Sequence, residues 1–94
     1  MERVREIAYK KKLIKNDDDI KHSTRKGKRF MIKYNDKWIH FGSYPFTGEG
    51  TYIDHGNDTI RKNWKARHSK IMKDGKLAYK NRESPEYYSW NILW

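Results

Sequence analysis

Two alternating runs separated by a residue pair constrain this chain most: Phe30-Met31-Ile32-Lys33-Tyr34, then Asn35-Asp36, then Lys37-Trp38-Ile39-His40-Phe41-Gly42. Asn and Asp both tolerate positive φ, so the pair suits a two-residue type I′ hairpin turn. That turn pairs Tyr34 with Lys37, Lys33 with Trp38, Ile32 with Ile39, Met31 with His40 and Phe30 with Phe41. Successive strand side chains point to opposite faces, so Phe30, Ile32, Tyr34, Ile39 and Phe41 share one face. Arg29, Met31, Lys33, Trp38 and His40 share the other. The first face reads as core and the second as basic and aromatic. A one-residue slip would mix the two sets, so the pattern specifies the register.

An isolated hairpin is at best marginal in water, and the rest of the chain must cover it. The sequence has 94 residues, 35% of them apolar, which predicts one domain with a small, aromatic-rich core. It has no Cys, which excludes a disulfide framework and a thiolate metal site. No apolar run approaches a membrane span, and Met1-Glu2-Arg3-Val4-Arg5-Glu6 lacks the apolar centre of a signal peptide. The expectation is a soluble intracellular protein with no membrane partner. Residues 1–22 read as a basic N-terminal arm and residues 23–94 as a single α+β domain. In the arm, Val4, Ile7 and Ala8, then Leu13 and Ile14, fit either a short helix or an extended segment. Asn16-Asp17-Asp18-Asp19 reads as a solvated linker.

Ser43 to Gly56 is rich in Gly, Pro and Thr and reads as a loop carrying Tyr44, Phe46 and Tyr52. Tyr52-Ile53-Asp54 could add a short third strand. Asn57 or Asp58 can cap a helix running to about Ile71. Ile60, Trp64, Arg67 and Ile71 form one stripe on it, with His68 at the edge and Arg61, Lys62 and Lys65 pointing away. A guanidinium within an apolar stripe needs an acceptor, because an unpaired buried charge is very costly. Asp54 is the first candidate, and a structural polar cluster of His40, Asp54, His55, Asp58, Arg67 and His68 is expected. Asp74-Gly75 marks a turn. Ser84-Pro85-Glu86 then opens a last helix, with Ser as cap, Pro in the first turn and Glu complementing the dipole. Tyr87, Tyr88, Trp90, Ile92, Leu93 and Trp94 follow, and so apolar a segment is expected to be buried, in the protein's own core ahead of a partner's surface. The prediction is a small antiparallel sheet packed by one long helix and a short aromatic C-terminal helix.

The charge points to a partner. The sequence holds 22 Lys and Arg against 12 Asp and Glu, a formal net charge of +10, among 4 Trp, 7 Tyr and 3 Phe. Cations take phosphates, and rings take exposed bases or packed faces, so this composition suits a compact domain that holds a polyanion. His22-Ser23-Thr24-Arg25-Lys26-Gly27-Lys28-Arg29 is the densest basic stretch. Backbone N–H groups beside a Gly, with hydroxyls and cations, suit phosphate oxygens. The expected nucleic-acid-binding residues are Arg25, Lys26, Lys28 and Arg29, with Lys33 and Trp38 on the open hairpin face and Arg61, Lys62 and Lys65 on the helix. No helix carries a base-reading set, so binding should be weakly specific, with DNA ahead of RNA.

His40, Asp54, His55, Asp58 and His68 are residue types that could bind a divalent metal and cleave a phosphodiester. Their spacing matches no metal motif, and helix capping, ion pairing and a small polar cluster account for the same residues. No enzyme, metal or cofactor is expected, and a metal-dependent nuclease is the weakest alternative.

From Ser23 to Trp94 the chain resembles a family of small, uncharacterised basic proteins of large DNA viruses and some phages. The resemblance rests on Ser23-Thr24-Arg25-Lys26-Gly27-Lys28 before the first strand and His40-Phe41-Gly42 at the end of the second. It continues with a loop containing His and Asp, Arg67-His68 late in a helix, and an aromatic segment ending in Leu93-Trp94. Family members place an Asp two residues after the loop His, whereas His55-Gly56-Asn57-Asp58 puts it three away. The resemblance brings no activity with it. It implies a viral setting, in an infected host cell or a virion, and hence an alternative role as a minor capsid or cement protein among virion proteins.

Overall fold

The computed structural model describes residues 1–45 and 48–94, so that Phe46 of the expected loop lies outside the described residues. The fold is α+β, built on the hairpin. Strands β2 (Lys28–Tyr34) and β3 (Lys37–Ser43) pair antiparallel in the expected register, from Tyr34 opposite Lys37 to Phe30 opposite Phe41. Asn35 and Asp36 have φ of 49° and 61°, as a type I′ turn requires.

The third strand comes from the other side of the sequence. Strand β1 (Ile20–His22) pairs antiparallel with β2, placing Ile20 opposite Ile32 and His22 opposite Phe30, for a sheet order β1-β2-β3. Tyr52-Ile53-Asp54, expected as a third strand, instead lies in a single helical turn, α2 (Tyr52–His55). The Asp54 carboxylate explains it, accepting the Thr51 N–H at 2.7 Å and the Thr51 hydroxyl at 2.8 Å and so closing the turn.

The division into an arm of residues 1–22 and a domain of 23–94 does not survive in the core. Helix α1 (Glu2–Lys10) buries Val4 and Ala8, one turn apart on one face. These two, with Leu13, Ile14 and Ile20, join Phe30, Ile32, Phe41, Tyr88, Ile92 and Leu93 in one cluster. The acidic linker is tied down as well. Asp17–Asp19 forms a 3₁₀ turn in which the Asp19 carboxylate accepts the N–H groups of Lys15 and Asn16, both at 3.0 Å. A hairpin with so few apolar residues of its own needs this extra cover.

The C-terminal segment fills the centre. Ser84 caps α4 (Pro85–Tyr88) by accepting the Glu86 N–H, and a π turn follows over Ser89–Leu93. Phe30, Phe41 and Tyr88 form a chain of tilted rings with centroids 5.9 and 5.8 Å apart. Between these parts, β4 (Met72–Lys73) and β5 (Lys76–Leu77) flank the Asp74-Gly75 turn.

The long helix is α3 (Asp58–His68), shorter than expected and capped by Asn57, whose side chain accepts the N–H groups of Thr59 and Ile60. It buries no residue fully, and Ile60, Arg67 and Ile71 of the expected apolar stripe are exposed. The helix packs instead through Trp64, which stacks on Trp94 at 4.7 Å. A ring on the C-terminal segment thus outcompetes the aliphatic stripe, and the covering helix over β3 is α4. No helix among the described residues is long and apolar enough to cross a membrane.

Candidate functional site

The helices and the C-terminal turn cover one face of the sheet, and the other is open. Register brings Lys21, Met31 and His40 side by side across the three strands, with Lys33 opposite Trp38 next to them. Lys21, Lys33 and Trp38 are exposed, Trp38 at 37%, and the Lys21 ammonium lies 5.4 Å from the Trp38 ring. The β1–β2 loop borders this face and exposes Arg25 and Lys26. Ser23 shapes the loop: its hydroxyl accepts the Arg25 N–H at 3.0 Å and lies 2.7 Å from Nδ1 of His40. Burial, then the charges of Arg25 and Lys28, hold His40 below the ordinary histidine value. His40 is therefore disposed to stay neutral among cations. Asp19 is near enough to Lys33 for the two charges to interact, and it bounds the face at one margin.

Arg29 departs from the expected set. Its guanidinium is committed to Asp54, donating to both carboxylate oxygens, each at 2.8 Å. Alternation places it with Met31 and Lys33, opposite Gly42 in an unbroken register, and Gly42 has φ +78°. A Cβ on Gly42 would sit 2.9 Å from Leu93 Cδ1 and 3.1 Å from Arg29 Cβ. Gly42→Ala should therefore cost about 1–2 kcal/mol, read by chemical denaturation, from the positive φ and the crowding together. Stability equal to the parent's would show that the strand end can relax.

The cations expected on the helix divide. Lys62 is exposed. Arg61 donates through Nε to the main-chain oxygen of Trp94 at 2.7 Å and lies over the Tyr52 ring. Lys65 covers the Trp90 ring at 5.0 Å. Arg61 and Lys65 thus hold the C-terminal rings against α3.

The polar cluster expected from His40, Asp54, His55, Asp58, Arg67 and His68 is dispersed into separate contacts. Asp54 pairs with Arg29 rather than Arg67, because α3 turns Arg67 to the exterior. Asp58 accepts the Tyr52 hydroxyl at 2.9 Å, and His55 Nδ1 accepts the Asn57 N–H at 2.8 Å. His68 Nδ1 lies 2.5 Å from Glu86, and its ring stacks on Trp64 at 3.8 Å. Among the described residues, no three His, Asp or Glu side chains come together as a metal-holding group. Sequence reasoning missed Lys21, whose place depends on β1, and Glu86, whose only visible role was in a helix dipole.

At the Lys28–Ser43 end of the sheet lies a pocket of about 370 Å³. Lys28, Gly42 and Ser43 line it from the sheet, Thr51 from the loop, and Arg67 and His68 from α3. Glu86, Ser89 and Trp94 close it from the C-terminal segment.

No curated protein and no solved structure matches this chain. One family model matches residues 19–68, more than half of the chain, from the edge of β1 through His68. That stretch carries the open face, the basic loop and most of the pocket's cationic wall, and the chain belongs to this family, the family of unknown function DUF5754.

Proposed function

We propose that this protein binds nucleic acid without cleaving it, mainly through phosphates and with little regard to sequence. The observation that carries the reading is the uncovered sheet face, on which Lys21, Lys33 and Trp38 meet the exposed Arg25 and Lys26 of the adjoining loop. An open β-surface with cations at its border and one accessible ring suits a single strand: phosphates take the cations and a base can rest on the indole. DNA is favoured over RNA, and the resemblance to viral proteins supports a setting in an infected cell.

Affinity should then fall steeply with salt and vary little between sequences. Replacing Lys21, Arg25, Lys26 and Lys33 together by Ala should weaken binding and flatten the log–log salt slope by about 3, since each lost phosphate contact removes roughly 0.7–0.9. An unchanged slope in a fluorescence titration of that variant would remove this face from the site. The same mixtures with Mg²⁺ or Mn²⁺ should yield no cleavage products. Products that disappear on His40→Ala or His55→Ala would replace a binding protein with a nuclease.

A second reading, a minor structural protein of a virion, draws on Ile71 and Met72, which are 41% and 57% exposed next to each other. Retention on nucleic acid that ignores salt, with the protein remaining in disrupted particles, would favour it.

A further inference from the structure

The pocket at the Lys28–Ser43 end of the sheet has a chemistry that surface binding leaves unused. Its volume of about 370 Å³ falls within the range of small-ligand sites. Lys28 and Arg67 reach its wall from different elements, and neither takes part in an ion pair among the described residues. Of the nearby carboxylates, Asp54 is paired with Arg29 and Glu86 is hydrogen-bonded to His68, which leaves at most one negative charge on the wall against two cations. The local balance therefore favours an anion. Ser43 and Ser89 add hydroxyls that can donate to oxygen.

The ring in the wall limits what else can bind. His68 stacks on Trp64 at 3.8 Å with 13° between planes, and Trp94 stacks on it at 4.7 Å with 10°. The Trp64 indole is thus engaged by two stacked partners, which leaves it no free face for a base. The chemistry suits phosphate oxygens and an adjoining sugar.

We propose that this pocket receives the terminal phosphate monoester of a nucleic-acid strand lying on the open sheet face, an assignment that rests on the nucleic-acid reading above. A monoester carries a charge of about −1.5 to −2 at neutral pH, against −1 for an internal diester, and so matches two cations better. The sheet, the Gly50–Thr51 corner, α3 and the C-terminal segment wall the pocket on separate sides, which suits a chain end more than a strand passing through. Lys28 links the two regions: it lines the pocket, and its charge acts on His40 of the open face.

Fluorescence polarisation with one oligonucleotide bearing a 5′-phosphate, a 3′-phosphate or hydroxyls at both ends tests this. One phosphorylated end should bind about 10-fold more tightly than the hydroxyl form, the equivalent of one charge-assisted hydrogen bond. Lys28→Met and Arg67→Ala should each reduce the preference to less than about 2-fold, and Arg67→Ala should leave the thermal midpoint unchanged. Replacing Arg25 and Lys26 by Ala should weaken all three oligonucleotides alike and keep the ratio. Equal binding of the three by the parent protein overturns the pocket assignment and leaves the nucleic-acid reading standing. A nucleoside monophosphate supplies an independent arm: it should quench tryptophan fluorescence in the parent and not in Arg67→Ala. Quenching without binding of any oligonucleotide at low salt would overturn both the strand-end assignment and the nucleic-acid reading.

Discussion

Ala8→Asp is expected to abolish the cooperative thermal transition, whereas Ala at Glu6 or Lys10 of the same helix should shift stability by no more than about 0.5 kcal/mol. Ala8 is fully buried, while Glu6 and Lys10 are exposed. A carboxylate at position 8 would enter the apolar cluster formed with Val4, Leu13 and Ile92, away from water. An unpaired charge in such a place costs several kcal/mol even after local relaxation. A domain of this size has little to spare, since small domains sit near the low end of the usual 5–15 kcal/mol. Circular dichroism on heating reads the result directly. A normal transition would show that α1 detaches without consequence and that residues 1–22 behave as an arm after all.

Which parts of this fold were legible follows from the range over which each signal acts. The hairpin was legible to the residue because its turn and its alternation are local and agree with each other. Ser84-Pro85 was legible for the same reason: a cap and a proline at the first turn are adjacent in sequence. The role of α1 was not. Val4 and Ala8 hint at a helical face, but the partner that buries them is the C-terminal turn at the far end of the chain. Strand β1 was missed because three residues, Ile20-Lys21-His22, give too short an alternation to stand out, and only pairing with β2 makes them a strand. The polar site misled in a different way. Helical periodicity put Ile60, Trp64, Arg67 and Ile71 on one stripe, but α3 ends at His68, before Ile71, and periodicity could not say which of the others would be covered. Trp94 and Trp90 take up Trp64 alone of that stripe, and Ile60 and Ile71 stay exposed with Arg67 on the pocket wall. Lys28, Gly42, His68 and Leu93 lie in four short motifs far apart in sequence, and only the folded chain shows that they share one pocket.

Arg29→Ala is expected to destabilise the protein by about 2 kcal/mol, the scale for losing charge-assisted hydrogen bonds in a partly exposed, bidentate ion pair. The side chains of Arg29 and Asp54 are 13% and 21% exposed, and both oxygens of the carboxylate accept from the guanidinium fork. The pair fastens β2 to the turn at Thr51, so its loss removes a link between the sheet and the segment leading into α3. Arg29→Lys should recover only part of the stability, because an ammonium cannot reproduce two parallel hydrogen bonds. Acid provides an independent check. Burial alone would raise the Asp54 carboxyl, but hydrogen bonds from Arg29 and Thr51 outweigh it and hold the group at about 2, against an ordinary 3.8. A carboxyl depressed on folding stabilises the native state above its unfolded value, and the contribution disappears as pH falls through the folded value. The contribution of Asp54 should therefore be complete above about pH 4 and decline towards pH 2. In Arg29→Ala the part of that decline owed to the ion pair should be missing, and in Asp54→Ala the Asp54 contribution should vanish entirely. The rival role, a phosphate contact from the dense basic stretch, predicts the reverse: an unchanged thermal midpoint at neutral pH and weaker binding to nucleic acid. Measuring the midpoint between pH 2 and 7 and the affinity on the same variants separates an arginine that holds the loop from one that holds the ligand.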